Sequence, residues 1–371
     1  MNYLAVLGRL DKISLAELES IFGSRNIKPI SRQLAKISTH QPINIDRLGG
    51  TIKLAKIIDQ TPLEYLESLP PGKIIFGYSD YSPKATKDSS WATANKIKTA
   101  LKKYHRAVRI VPSQTAIVSS ATAFHNLLGR RTNRIEFIKY KDIVAVSVGS
   151  QNIDAYSARD QARPARDAKV GMLPPKLAQI IINLATENKS KGVLLDPFCG
   201  TGVILQEAML MGYHCLGTDI SDRMIDYSNR NLLWLNTHYK KLPSYHLAKA
   251  DATRYTWQPK PTFIASEIFL GAALSAPPSD IQLQDLKQQS KALLLRFLKN
   301  LSSQISKDTT IALAIPAWRR LNSTYSRLDI IDDLTDLGYN IKKFKHLTPN
   351  DLLYFREGQV VARQLIVLRK K

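Results

Sequence analysis

Val193-Leu194-Leu195-Asp196-Pro197-Phe198-Cys199-Gly200-Thr201-Gly202-Val203-Ile204-Leu205-Gln206-Glu207 is the stretch whose reading decides the fold. A short apolar run ends in a carboxylate, a glycine loop follows, and a helical pattern opens. That order predicts a buried parallel strand, a tight turn and a helix start. Gly200 and Gly202 allow a positive φ and let a ligand come close to the backbone. The helix N-terminus adds free amides and a partial positive charge.

Two cofactor classes use such a loop. A dinucleotide site wants three glycines in G-x-G-x-x-G/A. Here Leu205 holds the third position, and Asp196 at the strand end would repel a pyrophosphate. S-adenosylmethionine has no phosphate, and its sulfonium and α-amino group both favour an anion nearby. Asp196 therefore points to the methyl donor. The next strands agree. Gly212 ends the helix, Tyr213 to Thr218 reads as a second strand, and Asp219 closes it, suited to both ribose hydroxyls. Ser221 or Asp222 can cap the next helix, which carries Met224, Tyr227, Asn231 and Leu235 on one face. A third strand near Tyr245 to Leu247 leads to Ala250-Asp251-Ala252, where an acid suits the adenine amino group. The expected donor pocket is Asp196, Phe198, Cys199, Gly200, Thr201, Gly202, Asp219, Ile220, Asp251 and Ala252. The competing reading takes Asp219 and Asp251 as plain helix caps.

At these residues the chain resembles a known family. D-P-F-C-G-T-G from Asp196, G-T-D-I from Gly217 and A-D-A-T from Ala250 look like the class I methyltransferases that modify guanosine at its exocyclic amine in tRNA. The likeness is greatest to the THUMP-domain group that methylates guanosine 10. It extends upstream to Arg163-Pro164-Ala165-Arg166 and to Gly171-Met172-Leu173-Pro174-Pro175-Lys176-Leu177-Ala178. It also reaches Tyr354-Phe355-Arg356-Glu357-Gly358-Gln359. It covers most of the chain and is strongest over residues 156–256. The resemblance implies an α/β fold with three parts. Residues 1–69 would form a ferredoxin-like α+β domain and residues 70–158 a THUMP-like RNA-binding domain. Residues 159–371 would form a doubly wound, Rossmann-like methyltransferase domain on a mostly parallel seven-stranded sheet. It further implies S-adenosylmethionine as cofactor, tRNA as partner, and methyl transfer to N2 of a guanosine.

The fourth strand departs from the family. Phe263-Ile264-Ala265-Ser266-Glu267-Ile268-Phe269-Leu270-Gly271 stands where the family has Asp or Asn, two prolines, an aromatic and Gly. The acid is Glu267, both prolines are missing, Leu270 holds the usual aromatic place, and Phe269 comes one residue early. An exocyclic guanine amine is a poor nucleophile because its lone pair is delocalised into the ring. An enzyme must aim it at the methyl, so catalysis is mostly positioning and electrostatics. Glu267 is the candidate orienting group and Phe269 the candidate ring for stacking on an extruded base. The altered loop motivates one rival, a catalytically inactive tRNA-binding protein or subunit. A second rival is a DNA amino-methyltransferase, against which the basic N-terminal half argues.

The chain has 371 residues and a formal net charge of +22, which calls for an anionic partner. No apolar run is long enough to span a bilayer and no leader pattern opens the sequence, so no membrane and a cytoplasmic location are expected. Cys199 and Cys215 are the only cysteines and the seven His are scattered, so neither a disulfide framework nor a metal site is expected. Between Lys96 and Lys141 the only acid is Glu136, against eleven Lys and Arg. Such one-sign bias suits a phosphate-tracking surface, with Lys102, Lys103, Arg106, Arg109, Arg130, Arg131 and Arg134 as candidate RNA contacts. A small activating partner subunit stays open.

Other patterns set further expectations. Ser14 and Glu17 read as a capping box before a helix reaching Phe22. Pro70-Pro71-Gly72 reads as a boundary, and Trp91, Ala94, Ile97 and Leu101 as one helix face. Ile153 to Lys169 reads as a linker with local ion pairs, or, through the family likeness, as a wall of the cofactor pocket. Pro174 and Pro175 open a helix. Leu283 to Asn300 and Leu328 to Leu337 read as helices, and Thr310 to Ile315, Ile341 to His346 and Val360 to Leu368 as strands.

Overall fold

The computed structural model describes residues 1–167, 172–307 and 309–371. Gly171 of the upstream motif and Lys169 at the end of the bridge lie outside the described residues. The chain forms two compact units: Met1–Asp11 with Arg25–Ala155, and Lys12–Ser24 with Tyr156–Lys371.

The first unit is built on one sheet. Its strands are β1 (Asn2–Leu7), β2 (Ile27–Ser31), β3 (Leu34–Ser38), β4 (Thr51–Ile58), β5 (Ile74–Asp80), β6 (Val108–Ile110), β7 (Arg134–Tyr140) and β8 (Ile143–Ser150), in the order β2-β3-β1-β4-β8-β7-β5-β6. Helix α1 (Asp11–Phe22) follows β1, and from Lys12 on it packs with the second unit. Helices α2 (Pro62–Glu67), α3 (Lys87–Lys102) and α4 (Ser120–His125) complete the first. β5 lies parallel to both β6 and β7 and is buried along nearly its whole length, hence its unbroken apolar start. Pro70-Pro71-Gly72 lies between α2 and β5 inside this unit, and strands on both sides of it share the sheet.

The second unit is a doubly wound α/β fold. Its strands are β9 (Val193–Asp196), β10 (His214–Asp219), β11 (Tyr245–Lys249), β12 (Phe263–Glu267), β13 (Thr310–Arg319), β14 (Tyr325–Ser326), β15 (Tyr339–Ile341), β16 (Leu353–Tyr354) and β17 (Val361–Lys370). Seven of them run in the order β11-β10-β9-β12-β13-β17-β15. The first five are parallel, and β17 is antiparallel to both β13 and β15. The helices are α5 (Ile153–Ser157), α6 (Pro175–Thr186), α7 (Val203–Leu210), α8 (Asp222–His238), α9 (Asp280–Ser302) and α10 (Ile331–Asp336). Leu195, Ile264, Ile311 and Leu313 of the sheet pack with Leu294, Phe297, Leu298 and Leu301 of α9. β9 lies between β10 and β12, so the winding reverses there. A crevice outside the carboxyl ends of these strands follows from that topology.

Several local expectations are corrected. Helix α1 starts at Asp11, so Ser14 and Glu17 lie inside it, both buried, and no capping box forms at Ser14. Glu17 instead accepts a hydrogen bond from Asn183 Nδ2 at 2.7 Å. On α3 the buried face is Ser90, Ala94, Ile97 and Leu101, while Trp91 is 45% exposed. Trp91 and Ser90, three and four residues before Ala94, lie at similar angles from it around the helix, and tertiary packing chose the smaller residue. Ile153 to Ala162 is no plain linker; it forms α5 and a π-helical turn. The expected strand Ile341 to His346 ends at Ile341, because the Lys345 and His346 amides donate to Glu19 of α1 instead of a neighbouring strand. The expected helix from Leu328 begins only at Ile331, since Ile330 has ψ 0° and φ −137°.

Candidate functional site

The carboxyl ends of β9, β10 and β12 carry Asp196, Asp219 and Glu267, and Asp251 lies two residues beyond β11. Each stands where the chain leaves the sheet. Asp196 is buried and accepts from Ser266 Oγ at 2.5 Å and from the Phe198 amide at 3.3 Å. Burial raises its carboxyl to about 7, against the pull of those two hydrogen bonds. Asp219 accepts from the Gly200 amide at 3.0 Å through one oxygen and from the Ser221 amide at 2.9 Å through the other. A carboxylate offers about four acceptor sites, so capacity remains for a further donor. Burial raises the Asp219 carboxyl as well. Ile220, next in sequence, is 69% exposed and forms an apolar surface beside that acid. Asp251 accepts from the Thr253 amide and hydroxyl at 2.9 and 2.7 Å and pairs with Arg254 at 3.2 Å. The Thr253 hydrogen bonds hold its carboxyl below the ordinary range.

The loop between Asp196 and Gly202 is held from both sides. Gly200 and Gly202 have φ of +51° and +81°, so the expected left-handed turns are present. A side chain at Gly202 would stand 2.9 Å from Ser228 Oγ, whereas at Gly200 nothing lies nearer than 4.0 Å. The backbone at Gly200 thus borders open space that a ligand can enter. Ser228 Oγ donates to the Gly200 carbonyl at 2.8 Å. Asn231 Nδ2 donates to the Thr201 carbonyl at 2.8 Å and to the Ala165 carbonyl at 2.9 Å, and its oxygen accepts from the Ala165 amide. The Arg163 to Asp167 segment is therefore fastened to the glycine loop. Arg159, buried, pairs with Glu207 of α7 at 2.5 Å, and Arg223 pairs with Asp167 at 2.9 Å. Phe198 meets Phe297 edge-on at 5.2 Å, Cys199 is buried, and the Ala252 carbonyl accepts from Asn300 Nδ2 of α9 at 3.0 Å.

Ser228, Asn231 and Asn300 were not singled out for these roles from the sequence. Helical periodicity put Asn231 on the buried face, but no spacing signals which carbonyl a helix side chain meets. Ser221 stands at the N-cap of α8 without a side-chain cap bond, and Asp222 pairs with Lys249 instead.

Beyond Asp196, β12 ends on Glu267, whose carboxylate is gripped by the Arg363 guanidinium from β17. Burial pushes the Glu267 carboxyl up and Arg363 pulls it back. Ile268 turns into the core, and Phe269 is 59% exposed.

In the first unit, Glu136 is fully buried against Lys53 at 2.5 Å and accepts from Ser79 Oγ at 2.5 Å. The sole acid between Lys96 and Lys141 is thereby withdrawn from the surface. Lys102, Lys103, Arg109 and Arg131 are exposed. Arg106 donates to the Leu69 and Pro70 carbonyls, and Arg134 to the Asn126 carbonyl. Arg130 forms a two-point pair with Asp46, and Arg109 donates to Asn126 Oδ1 at 2.7 Å. These four arginines are oriented by the protein itself. Among the described residues no cluster of His, Cys, Asp and Glu is placed to hold a metal, and no helix is long and apolar enough to cross a membrane.

Comparison with known proteins adds names to this geometry. Residues 137–230 match the DNA methylase family. A tRNA (guanine(10)-N2)-dimethyltransferase from Methanothermobacter thermautotrophicus is 32% identical over 166 residues, 44% of this chain and 45% of that one. One of the same name from Methanocaldococcus jannaschii is 47% identical over 62 residues, 17% of each chain. The chain spans less than half the length of the curated relatives it matches. Among solved structures, TrmN from Thermus thermophilus aligns over the whole of both chains with a TM-score of 0.46 and 17% identity.

Proposed function

We propose that this protein is an S-adenosylmethionine-dependent methyltransferase acting on the exocyclic N2 amine of a guanosine in tRNA, with guanosine 10 as the target. The observation that carries the reading is the convergence of four acids on the carboxyl ends of four adjacent parallel strands, around the switch point, with open space over Gly200. The names of the matched relatives support it. When bound, the methyl donor supplies an electrophilic methyl group and a positive charge. Asp196 faces that charge across the glycine loop, Asp219 takes the ribose hydroxyls through its remaining lone pairs, and Ile220 covers the adenine face. Asp251 and the Ala252 backbone take the adenine edge. Phe198, Cys199, Thr201 and Gly202 complete the cradle. Glu267 accepts hydrogen bonds from the target amine and aims its nitrogen, while Phe269 stacks on the base. A strong base is not needed, because the amine sheds its proton once alkylation makes it cationic.

Residues 1–158 carry the RNA in this reading, with 1–69 as the ferredoxin-like part and 70–158 as the THUMP-like part. Lys102, Lys103 and Arg131 meet phosphates directly, and Arg106, Arg109, Arg130 and Arg134 do so from fixed positions. The cytoplasm is the proposed location. A second reading, an inactive tRNA-binding protein or a subunit needing a partner, is favoured by the Arg363 grip on Glu267 and the missing prolines. Single-turnover transfer of labelled methyl to unmodified tRNA separates the two. Under the first reading wild type transfers, Glu267→Ala loses on the order of a hundredfold or more from misplacing the amine, and Glu267→Gln loses less. Equal rates for wild type and Glu267→Ala remove Glu267 from the mechanism, and no transfer by wild type to any tRNA supports the second reading.

A further inference from the structure

Arg163 is a buried cation without an acid. It stands in the segment fastened to the glycine loop, just before Ala165 and its hydrogen bonds to Asn231, and it is 2% exposed. Among the described residues its Nε and Nη1 meet no hydrogen-bond partner, and its Nη2 donates to Met172 Sδ at 3.0 Å. A thioether is a weak acceptor. Burial lowers the Arg163 pKa, and Asp160 and Glu207 raise it only from beyond ion-pair distance. A charged side chain is almost never fully buried unless paired. The cations around it are differently placed. Arg159 holds Glu207 through Nε and Nη2 at 2.5 and 3.1 Å, and Arg223 pairs with Asp167. The Lys176 amine lies over the Tyr156 ring at 5.1 Å, and Arg166 is exposed. Of these, Arg163 is the one that combines burial with unpartnered N–H groups.

The methyl donor carries an anion that the site described so far does not serve. Asp196, Asp219, Asp251 and Glu267 suit a sulfonium, an amine and hydroxyls, and all four repel the donor's α-carboxylate. That carboxylate calls for a cation with side-by-side N–H donors, and a guanidinium presents them as a fork. We infer that Arg163 takes the α-carboxylate of S-adenosylmethionine, and that the Met172 thioether holds its place until the donor arrives. The atoms left unpartnered explain the second part. Nε and Nη1 point to different sides of the guanidinium, so either two-point grip on a carboxylate shares Nη2. Met172 must therefore yield. It is half-buried, and its unbranched side chain can re-pack. The inference rests on the methyl-donor reading above, and it gives the Arg163-Pro164-Ala165-Arg166 motif a ligand.

The test is calorimetry on the full chain with two ligands, S-adenosylmethionine and its decarboxylated form. The second keeps the sulfonium and the amine and lacks the carboxylate. Arg163→Gln and Arg163→Met should each weaken S-adenosylmethionine about ten- to a hundredfold, the range for hydrogen bonds to a charged group. Neither should weaken the decarboxylated form, and its undiminished binding shows that each variant has folded. Arg163→Lys keeps the charge without the fork and should fall between wild type and Arg163→Gln. Met172→Leu removes the sulfur that Arg163 holds in the free protein, so it should tighten S-adenosylmethionine. Equal weakening of both ligands in the Gln and Met variants makes Arg163 structural and overturns the inference, with the donor reading intact. Unchanged affinity for both ligands overturns it in the same way. Unchanged or weaker S-adenosylmethionine binding in Met172→Leu overturns the displacement of Met172. Binding of neither ligand by wild type overturns the inference and the donor reading together.

Discussion

Asp196 makes the site pH-sensitive in a direction that can be worked out. Burial raises its carboxyl to about 7, so near neutrality the free protein holds it partly protonated. A cation bound beside it draws that proton off. Donor affinity should therefore rise with pH up to about 7 and then level, falling by up to about tenfold per unit below. Calorimetry from about pH 5.5 to 8 checks this, and Asp196→Asn should flatten the profile. In the unliganded protein the sign for stability is opposite. The folded state keeps a proton that the unfolded chain has released, so this group lowers stability as pH rises from the usual carboxylate range to about 7. Asp219 offers a second check: Asp219→Ala should cost donor binding about 1–3 kcal/mol, the range for hydrogen bonds to a charged group, and unchanged affinity would remove it from the site. The four acids were legible in the sequence because each stands at or just after the end of a strand-like run. Their states were not, since burial and the partners Ser266 and Arg363 come from other strands.

Helix α8 holds the glycine loop through Ser228 and Asn231. Asn231 joins Thr201 to both backbone groups of Ala165, three hydrogen bonds that close a buried gap. Asn231→Ala leaves those backbone groups without partners and should destabilise the fold by about 1–3 kcal/mol. Donor affinity should fall with it, whereas Asn229→Ala on the exposed side of the same helix should change neither. Thermal unfolding with and without the donor reads both effects. Boundaries of long elements were legible because their periodicity is strong: β12 and α6 start where expected, and α9 extends the expected helix by a few residues at each end. Misreadings fell where a partner overrode local signals. Ser14 and Glu17 have capping-box spacing, yet both lie inside α1, where Glu17 meets Asn183 instead.

Across the whole molecule the positive charge is divided between bound and open cations. Neutralising Lys102, Lys103, Arg109 and Arg131 together should flatten the plot of log tRNA affinity against log salt by about 0.7–0.9 for each phosphate that loses its cation. Arg106→Ala should also lower the unfolding temperature, because its guanidinium ties the Leu69 and Pro70 carbonyls. An unchanged slope in the fourfold variant would place the RNA elsewhere. By itself the sequence determined the doubly wound class, the glycine loop with its acids, and the basic bias of the N-terminal half. These are local: strand, turn and helix signals, and charges counted along the chain. Only the tertiary structure decided that Glu136 is hidden against Lys53, that α1 packs with the second unit, and that Arg363 grips Glu267. The two ion pairs join residues 83 and 96 positions apart. A buried charge takes whichever partner the fold brings within reach, because desolvation makes solitude costly, and no spacing along the chain records that choice.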